Sequence, residues 1–177
     1  MSSIITSSYK SPVGELILGV YENKLCLADW KYRKMRDAID TRLAKHLATD
    51  FAPGTHDLLD EAARQLHDYF NKSLEKFDLP LLLAGTSFQV SVWEELQNIP
   101  YGTTCSYISL SRKLKNEKAI RAVASANGAN AISIIVPCHR IIGADGSMTG
   151  YAGGIKAKKK LLEHEGVNLH NGQQLLF

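Results

Sequence analysis

The first half of the chain combines short apolar runs with apolar stripes at helical spacing. Residues 14–20 and 24–30 are apolar runs only three residues apart, which predicts a β-hairpin, and residues 4–9 predict a strand before it. Apolar residues then recur at every third or fourth position in two stretches, which predicts two helices: Met35, Ile39, Leu43 and Leu47, followed by Leu59, Ala62, Leu66 and Phe70. The segment 51–55, with Pro and Gly, is predicted to separate them. These elements predict an α/β domain over residues 1–85.

The second half, residues 86–177, is predicted to be a mainly α domain. Thr86 or Ser87 can cap its first helix, and Ser106 can cap its second. After a short turn, the alanine-rich stretch 117–128 predicts a third helix that ends at its final glycine. Two helices joined by a short turn are the outline of a helix-turn-helix DNA-binding motif, although any helical hairpin shares that outline.

Composition and charge add little to this outline. The 177 residues are 45% hydrophobic and 22% charged, which is ordinary for a globular chain. The net charge of +3 is uneven: residues 1–85 carry 11 basic and 12 acidic side chains, whereas residues 86–177 carry 10 and 6. A basic second half suits a nucleic-acid surface. On charge alone, however, a solvated surface is the simpler interpretation.

The termini and cysteines exclude several classes of protein. No signal-peptide pattern opens the chain, and no apolar stretch approaches the ~20 residues that span a bilayer. We therefore expect a cytoplasmic protein with no membrane partner, associated with the nucleoid if its source is bacterial. Cys26, Cys105 and Cys138 are odd in number and widely spaced, which argues against a disulfide framework. No CxxC or HxxxH pair is present, so we expect no metal site.

Candidate chemistry lies in ISIIVPCHRIIG at 132–143, where apolar runs typical of a buried strand flank a proline, a thiol, an imidazole and a guanidinium. A thiol must ionise to be a good nucleophile, which requires a base, a cation or a helix N-terminus nearby. Pro137 suits the start of a helix, which would place Cys138 at its positive end, beside His139 and Arg140. A buried cysteine beside a core histidine is the alternative. A carboxylate that orients the imidazole would favour chemistry, and spacing leaves three candidates: Asp145, Glu163 and Glu165.

The segment VPCHRIIG resembles the active-site motif of the O6-alkylguanine-DNA alkyltransferases, also called methylated-DNA–protein-cysteine methyltransferases. The likeness extends through three further blocks in the same order, at 88–107, 119–130 and 150–166. The resemblance implies a ribonuclease-H-like α/β N-terminal domain and an active-site domain built on a winged helix-turn-helix. It also implies a DNA repair protein that binds the minor groove of double-stranded DNA and flips an O6-alkylguanine into a pocket.

The resemblance further assigns roles to residues. Cys138 matches the alkyl acceptor, His139 the base that acts through a water, and Glu165 the carboxylate that orients the imidazole. Arg121 matches an arginine that fills the space left by the flipped base. The remaining matches lie around the guanine and the turn that follows the recognition helix: the Tyr107 hydroxyl and the Ala152 N–H as donors, the carbonyls of Cys138 and Ile141 as acceptors, Asn130 as a brace, and Tyr151 on the pocket wall.

The resemblance implies irreversible, single-turnover transfer, because a thioether product has no exchangeable S–S bond. It implies no cofactor and a monomer, and leaves cooperative loading on DNA open. Two other hypotheses remain at this point. One is a Cys–His hydrolase, which would need an oxyanion hole that no motif indicates. The other is a non-catalytic lesion sensor or regulator that binds DNA and carries an inert Cys138.

Overall fold

The structure is a computed structural model that describes residues 2–169. The chain divides between Ala84 and Gly85 into two compact units, which are described separately below. Within the described residues, no helix is both long enough and apolar enough to cross a membrane.

A four-stranded sheet forms the centre of the first unit, in the order β3-β2-β1-β4. Strands β1 to β3 are antiparallel neighbours and confirm the predicted strand and hairpin: β1 Ile4–Lys10, β2 Glu15–Tyr21 and β3 Lys24–Trp30. The hairpin turns at Glu22 and Asn23, whose φ angles of 46° and 60° are the left-handed values that a two-residue type I′ turn requires. A fourth strand, β4 (Phe51–Pro53), pairs in parallel with β1.

Both predicted helices of this unit are present, as α1 (Arg36–Leu47) and α2 (Asp57–Phe70). Met35 was placed in the first apolar stripe, but it precedes α1 and is 59% exposed. The interpretation of residues 51–55 purely as a separator was wrong, because part of this segment is β4. A three-residue strand that contains a proline is too short to show alternation, and its partner β1 is distant in sequence.

Over residues 85–169, the second unit contains four α-helices and one pair of short strands: α3 Ser87–Leu96, α4 Tyr107–Lys113, α5 Ile120–Gly128, α6 Ile155–His164, β5 Cys105–Ser106 and β6 Ile141–Ile142. Both predicted caps are confirmed. The Thr86 hydroxyl accepts the Gln89 N–H at 3.2 Å and the Gln89 side chain accepts the Thr86 N–H at 3.0 Å, which makes a capping box. The Ser106 hydroxyl accepts the N–H of Ser109 at 3.1 Å at the start of α4.

The stretch 117–128 is less regular than the sequence predicted. Its first residues, Glu117–Ala119, form a 3₁₀ turn, and only then does α5 begin. The final glycine is the last helical residue, and Ala129 follows it at φ −86°, so this helix end uses no left-handed glycine. Packing on α3 fixes its buried side, where the Trp93 indole N–H donates to the carbonyl of Ala126 at 2.8 Å.

The apolar run at 132–136 is buried, but it is not the strand that its composition suggested. It forms consecutive turns in which Ile134 has a φ of 72°. The chain becomes extended only after the 3₁₀ turn Cys138–Arg140, where β6 pairs in parallel with β5. This pairing sets Cys105 opposite Ile141 and places the segment that carries the PCHR sequence beside the start of α4.

Candidate active site

Cys138 is the first residue of the 3₁₀ turn and is only 3% exposed. The helix start that the sequence predicted is therefore a single turn, and the Cys138 N–H already donates to the carbonyl of Val136 at 2.8 Å. A turn of this length carries little of the dipole of a long helix. Any stabilisation of the thiolate must therefore come mainly from neighbouring side chains.

The side chain of Asn130 reaches the sulfur directly. Its Nδ2 lies 3.2 Å from Cys138 Sγ and also donates to the carbonyl of Val136 at 3.0 Å. Its Oδ1 accepts the N–H of Ile132 at 3.0 Å. One buried amide thus holds the turns between α5 and Cys138 in place and offers the sulfur a hydrogen-bond donor. A donor of this kind favours the charged form of its acceptor.

His139 and Glu165 form a buried pair. His139 Nε2 lies 2.7 Å from Glu165 Oε1, and neither side chain is exposed to solvent. Glu165 was expected on the last turn of the final helix, and it is the residue immediately after α6. Because a carboxylate only accepts hydrogen bonds, Nε2 carries the proton of the neutral ring. This leaves Nδ1 unprotonated, buried and without a hydrogen-bond partner among the described residues.

Arg140 holds the same carboxylate from the other side. Its Nε donates to Glu165 Oε2 at 2.9 Å, and its Nη2 donates to Oε1 at 3.1 Å. Its Nη1 donates to the carbonyl of Ile99 at 2.6 Å, and the N–H of Gly102 donates to Glu165 Oε2 at 3.3 Å. Glu165 therefore accepts from donors on two other segments of the unit, the 3₁₀ turn and the residues around Gly102, which fixes its orientation toward the imidazole.

These contacts determine the charge states of the pair. Burial lowers the pKa of His139, and this outweighs the opposite effect of Glu165, so the imidazole is neutral near neutral pH. Burial raises the pKa of Glu165, but His139 and Arg140 outweigh burial and hold that pKa well below its usual range. The site thus contains a neutral imidazole whose Nδ1 has no partner among the described residues and whose Nε2 donates to an ionised carboxylate.

The other predicted pocket residues lie on two segments. Tyr107 begins α4, and its hydroxyl lies 3.5 Å from the hydroxyl of Thr149. The Tyr151 ring is 6.5 Å from the His139 ring between centroids, at an interplanar angle of 71°. Ala152 lies in the turn before α6, and its N–H donates to no acceptor among residues 2–169. Tyr107, Tyr151 and Ala152 are all half-buried.

The carbonyl of Ile141 already has a partner. It accepts a hydrogen bond from the ammonium of Lys158, while the Ile141 N–H donates to the carbonyl of Cys138. A carbonyl oxygen has two lone pairs, so a second donor can still bind there.

Arg121 makes none of the contacts of this buried network. It lies on the exposed side of α5 beside Ala122, with Ser125 exposed one turn further on. The helical spacing of Ala122, Val123 and Ala126 predicts one apolar stripe; Val123 and Ala126 are buried, whereas Ala122 is exposed. The exposed side of α5 therefore presents one long cationic side chain among small residues.

Two family models match the chain almost from end to end. Residues 4–83 match the ribonuclease-like domain of 6-O-methylguanine DNA methyltransferase, and residues 87–167 match its DNA-binding domain. A methylated-DNA–protein-cysteine methyltransferase from Methanosarcina acetivorans is 40% identical over 158 residues, which cover 89% of this chain and 96% of that protein. The chain belongs to this methyltransferase family. Its two units are the family's ribonuclease-like α/β domain and its DNA-binding domain.

Solved structures agree with this membership. The O6-methylguanine methyltransferase of Mycobacterium tuberculosis is 39% identical, with a TM-score of 0.76 and coverage of 93% of each chain. The same M. tuberculosis protein in complex with DNA gives a TM-score of 0.78, with 92% of each chain covered.

Three contributors to the site of this family member were not predicted from the sequence. Arg140 was predicted only as a cation near the thiol, and its two hydrogen bonds to Glu165 were not predicted. The N–H of Gly102 carries no side-chain signature at all. Lys158 did leave a signal, because it precedes Leu161 and Leu162 by three and four residues and so lies on their apolar face of α6.

Proposed function

We propose that this DNA repair methyltransferase moves the alkyl group of O6-alkylguanine in double-stranded DNA irreversibly to Sγ of Cys138. The observation that carries the proposal is the buried network around Cys138, in which an amide reaches the sulfur and the next residue is a neutral imidazole backed by a carboxylate. The network supplies what a thiol nucleophile needs, namely a base and an environment that favours the thiolate.

The transfer step follows from these groups. His139 Nδ1 takes the thiol proton, through a water molecule as the family resemblance implies, and Glu165 stabilises the imidazolium that forms. The thiolate then attacks the alkyl carbon in line, so that the S–C bond forms while the C–O6 bond breaks. The electron pair of the broken bond passes to guanine, which ends by taking up a proton. The product is a thioether, and the protein acts once.

Guanine is a better leaving group when donors meet its developing charge. We assign this role to the Tyr107 hydroxyl and the Ala152 N–H. The carbonyls of Cys138 and Ile141 accept from the guanine amino group, and the Tyr151 ring forms a wall of the pocket. The arrangement is supported by the half-burial of both tyrosines and by the Ala152 N–H, which has no partner within residues 2–169.

For DNA, we propose that α4 and α5 form the helix-turn-helix of a winged motif, with α5 in the minor groove. Packing of α4 against α5 supports the motif. The small exposed side chains Ala122 and Ser125 allow close approach to a backbone, and Arg121 is long enough to enter the duplex. Residues 86–177 contain ten basic and six acidic side chains, and this net positive charge favours contact with phosphates.

Arg121→Ala is expected to slow repair of an O6-methylguanine in duplex DNA by roughly 10-fold to 100-fold, because the space left by the flipped base would stay unfilled and flipping costs a few kcal/mol. Reaction with free O6-methylguanine base should change by less than about 2-fold, since no flipping is involved. Both rates are measured by single-turnover methyl uptake. Lys118→Ala, also near the start of α5 and exposed, is the charge control. Equal slowing of both substrates by Arg121→Ala would remove its role in flipping.

The test of the proposed function is intact-protein mass spectrometry after mixing with an oligonucleotide that carries one O6-methylguanine. We expect the protein to become one methyl group heavier, with the label on the peptide that contains Cys138 and uptake that stops at one per chain. Tight lesion binding without a mass change would instead indicate a lesion sensor. Turnover of a p-nitrophenyl ester would indicate a hydrolase.

Several attributes remain predictions from the sequence. They are domain limits of 1–85 and 86–177, activity without a cofactor or metal, a monomeric state with cooperative loading on DNA left open, and a cytoplasmic location with nucleoid association in a bacterium.

A further inference from the structure

Lys158 is buried to a degree that is unusual for a lysine. Its exposed fraction is 0%, whereas Lys156, Lys159 and Lys160 on the same helix are exposed. A lysine is almost never fully buried without a specific partner, because removing an ammonium group from water is unfavourable.

The partners of Lys158 hold the cation without neutralising it. Its Nζ donates to the carbonyls of Ile141, Thr149 and Gly150, the latter two at 3.0 and 3.4 Å. Ile141 follows the turn that carries Cys138, and residues 149 and 150 precede the pocket residues of the proposed site. Within residues 2–169, no carboxylate lies within ion-pair distance of this ammonium.

Among the described residues named around Lys158, two groups can carry a negative charge, the Cys138 thiol and the Glu165 carboxyl. The 3₁₀ turn packed against α6 carries Cys138, His139 and Arg140, and Glu165 follows α6 itself. Glu165 is occupied by Arg140 and His139. Burial is the larger influence on the pKa of Lys158 and Cys138 the smaller, opposite one, because its thiolate favours the ammonium; together they lower this pKa to about 8. Such an interaction is mutual, so the ammonium favours the thiolate equally.

We propose that Lys158 is a positioning residue that acts through Cys138: its ammonium is the counter-charge of the thiolate and joins β6 to the loop at residues 149 and 150. The effect on alkyl transfer rests on the proposed function, but the effect on the thiolate does not. Lys158 keeps its proton while the S–C bond forms, the C–O6 bond breaks and guanine takes its proton elsewhere. After transfer the sulfur is a neutral thioether, and the ammonium has lost its counter-charge.

The first test is the pH dependence of Cys138 labelling by iodoacetamide, followed on the Cys138 peptide by mass spectrometry. Lys158→Met keeps the length of the side chain and removes its charge, so the pH midpoint of labelling should rise by about one unit. Lys158→Arg keeps a charge and should keep the midpoint within about 0.3 units. Lys160→Met, an exposed change on the same helix, is the matched control and should also leave the midpoint in place. A midpoint unchanged in Lys158→Met, with only a lower melting temperature, would reduce Lys158 to a structural brace and overturn the proposal.

A second measurement needs no change at Lys158. The protonation of its side chain can be followed by NMR of ¹³Cε-labelled lysine in the wild type and in Cys138→Ser, where a neutral hydroxyl replaces the thiolate. Lys158 should lose its proton at a lower pH in the serine variant, because its counter-charge is gone. Identical titrations in the two proteins would refute the pairing. Neither measurement uses methylated DNA, so failure of this inference is distinguishable from failure of the proposed function.

Discussion

Replacing Cys138 with serine is expected to lower methyl uptake from O6-methylguanine DNA by at least about 10⁴-fold, the scale of loss when a nucleophile is removed. A hydroxyl is far harder to ionise than a thiol, so the neutral imidazole of His139 cannot activate it to the same extent. The fold should survive, because a serine oxygen can accept the Asn130 hydrogen bond that the sulfur now accepts at 3.2 Å. Affinity for methylated duplex DNA should therefore change little. Mass spectrometry measures uptake, and fluorescence anisotropy measures binding.

Cys105 provides the matched control for this prediction. It is also fully buried in the second unit, on the strand that pairs with β6, and burial raises the pKa of its thiol. Cys105→Ala should accept one methyl group per chain at close to the wild-type rate. If Cys138→Ser still takes up methyl, Cys138 is not the acceptor. If Cys105→Ala alone loses methyl uptake, Cys105 is the acceptor.

Glu165→Gln is expected to reduce both stability and rate. The free energy of unfolding should fall by about 3–5 kcal/mol, because Arg140 would remain buried without its counter-charge. The glutamine side chain also has an NH₂ group in place of one carboxylate oxygen. This donor would face the donors of either Arg140 or His139, so one of those hydrogen bonds would be lost. We expect transfer to slow by roughly 10²-fold or more, since the imidazole loses its oriented carboxylate. Urea unfolding and single-turnover methyl uptake measure the two effects.

Glu163→Gln is the control, because Glu163 is an exposed acid on α6 that forms a surface pair with Lys159 at 3.8 Å. Little change in either quantity is expected, in line with the small contribution of surface pairs. If Glu165→Gln is too unstable to assay, the double variant Glu165→Gln/Arg140→Met removes both charges and should recover stability without recovering rate. A double variant with wild-type rate would show that the carboxylate has no part in the transfer.

Local signals predicted most of the secondary structure. Hairpin spacing, helical stripes and the hydroxyl caps at Thr86 and Ser106 depend on residues a few positions apart, and the structure has each of them. The family resemblance added what spacing alone left open, namely Glu165 rather than Glu163 or Asp145 as the carboxylate. The structure sets that carboxylate against His139.

Features set by distant residues could not be predicted in this way. The run at 132–136 has the composition of a strand, but the side chain of Asn130 bonds to its backbone at both ends and competes with any sheet. The strand β4 exists only because β1 lies beside it. The spacing of Lys158 from Leu161 and Leu162 does place it on the apolar face of α6, but the three carbonyls that accept from its ammonium lie on other segments, so these hydrogen bonds could not be predicted.

The contacts that assemble the site have a consequence for the order of folding. Glu165 meets His139 across 26 positions of sequence and the Gly102 N–H across 63, and Arg140 reaches the Ile99 carbonyl across 41. Contacts so distant in sequence form late, after local helices, because a long loop must close before they gain any energy. Helices α3 to α5 can therefore exist in a partly folded chain in which α6 has not yet docked. In such a chain His139 lacks the Glu165 carboxylate. Cys138 therefore acquires its reactive environment only when α6 docks.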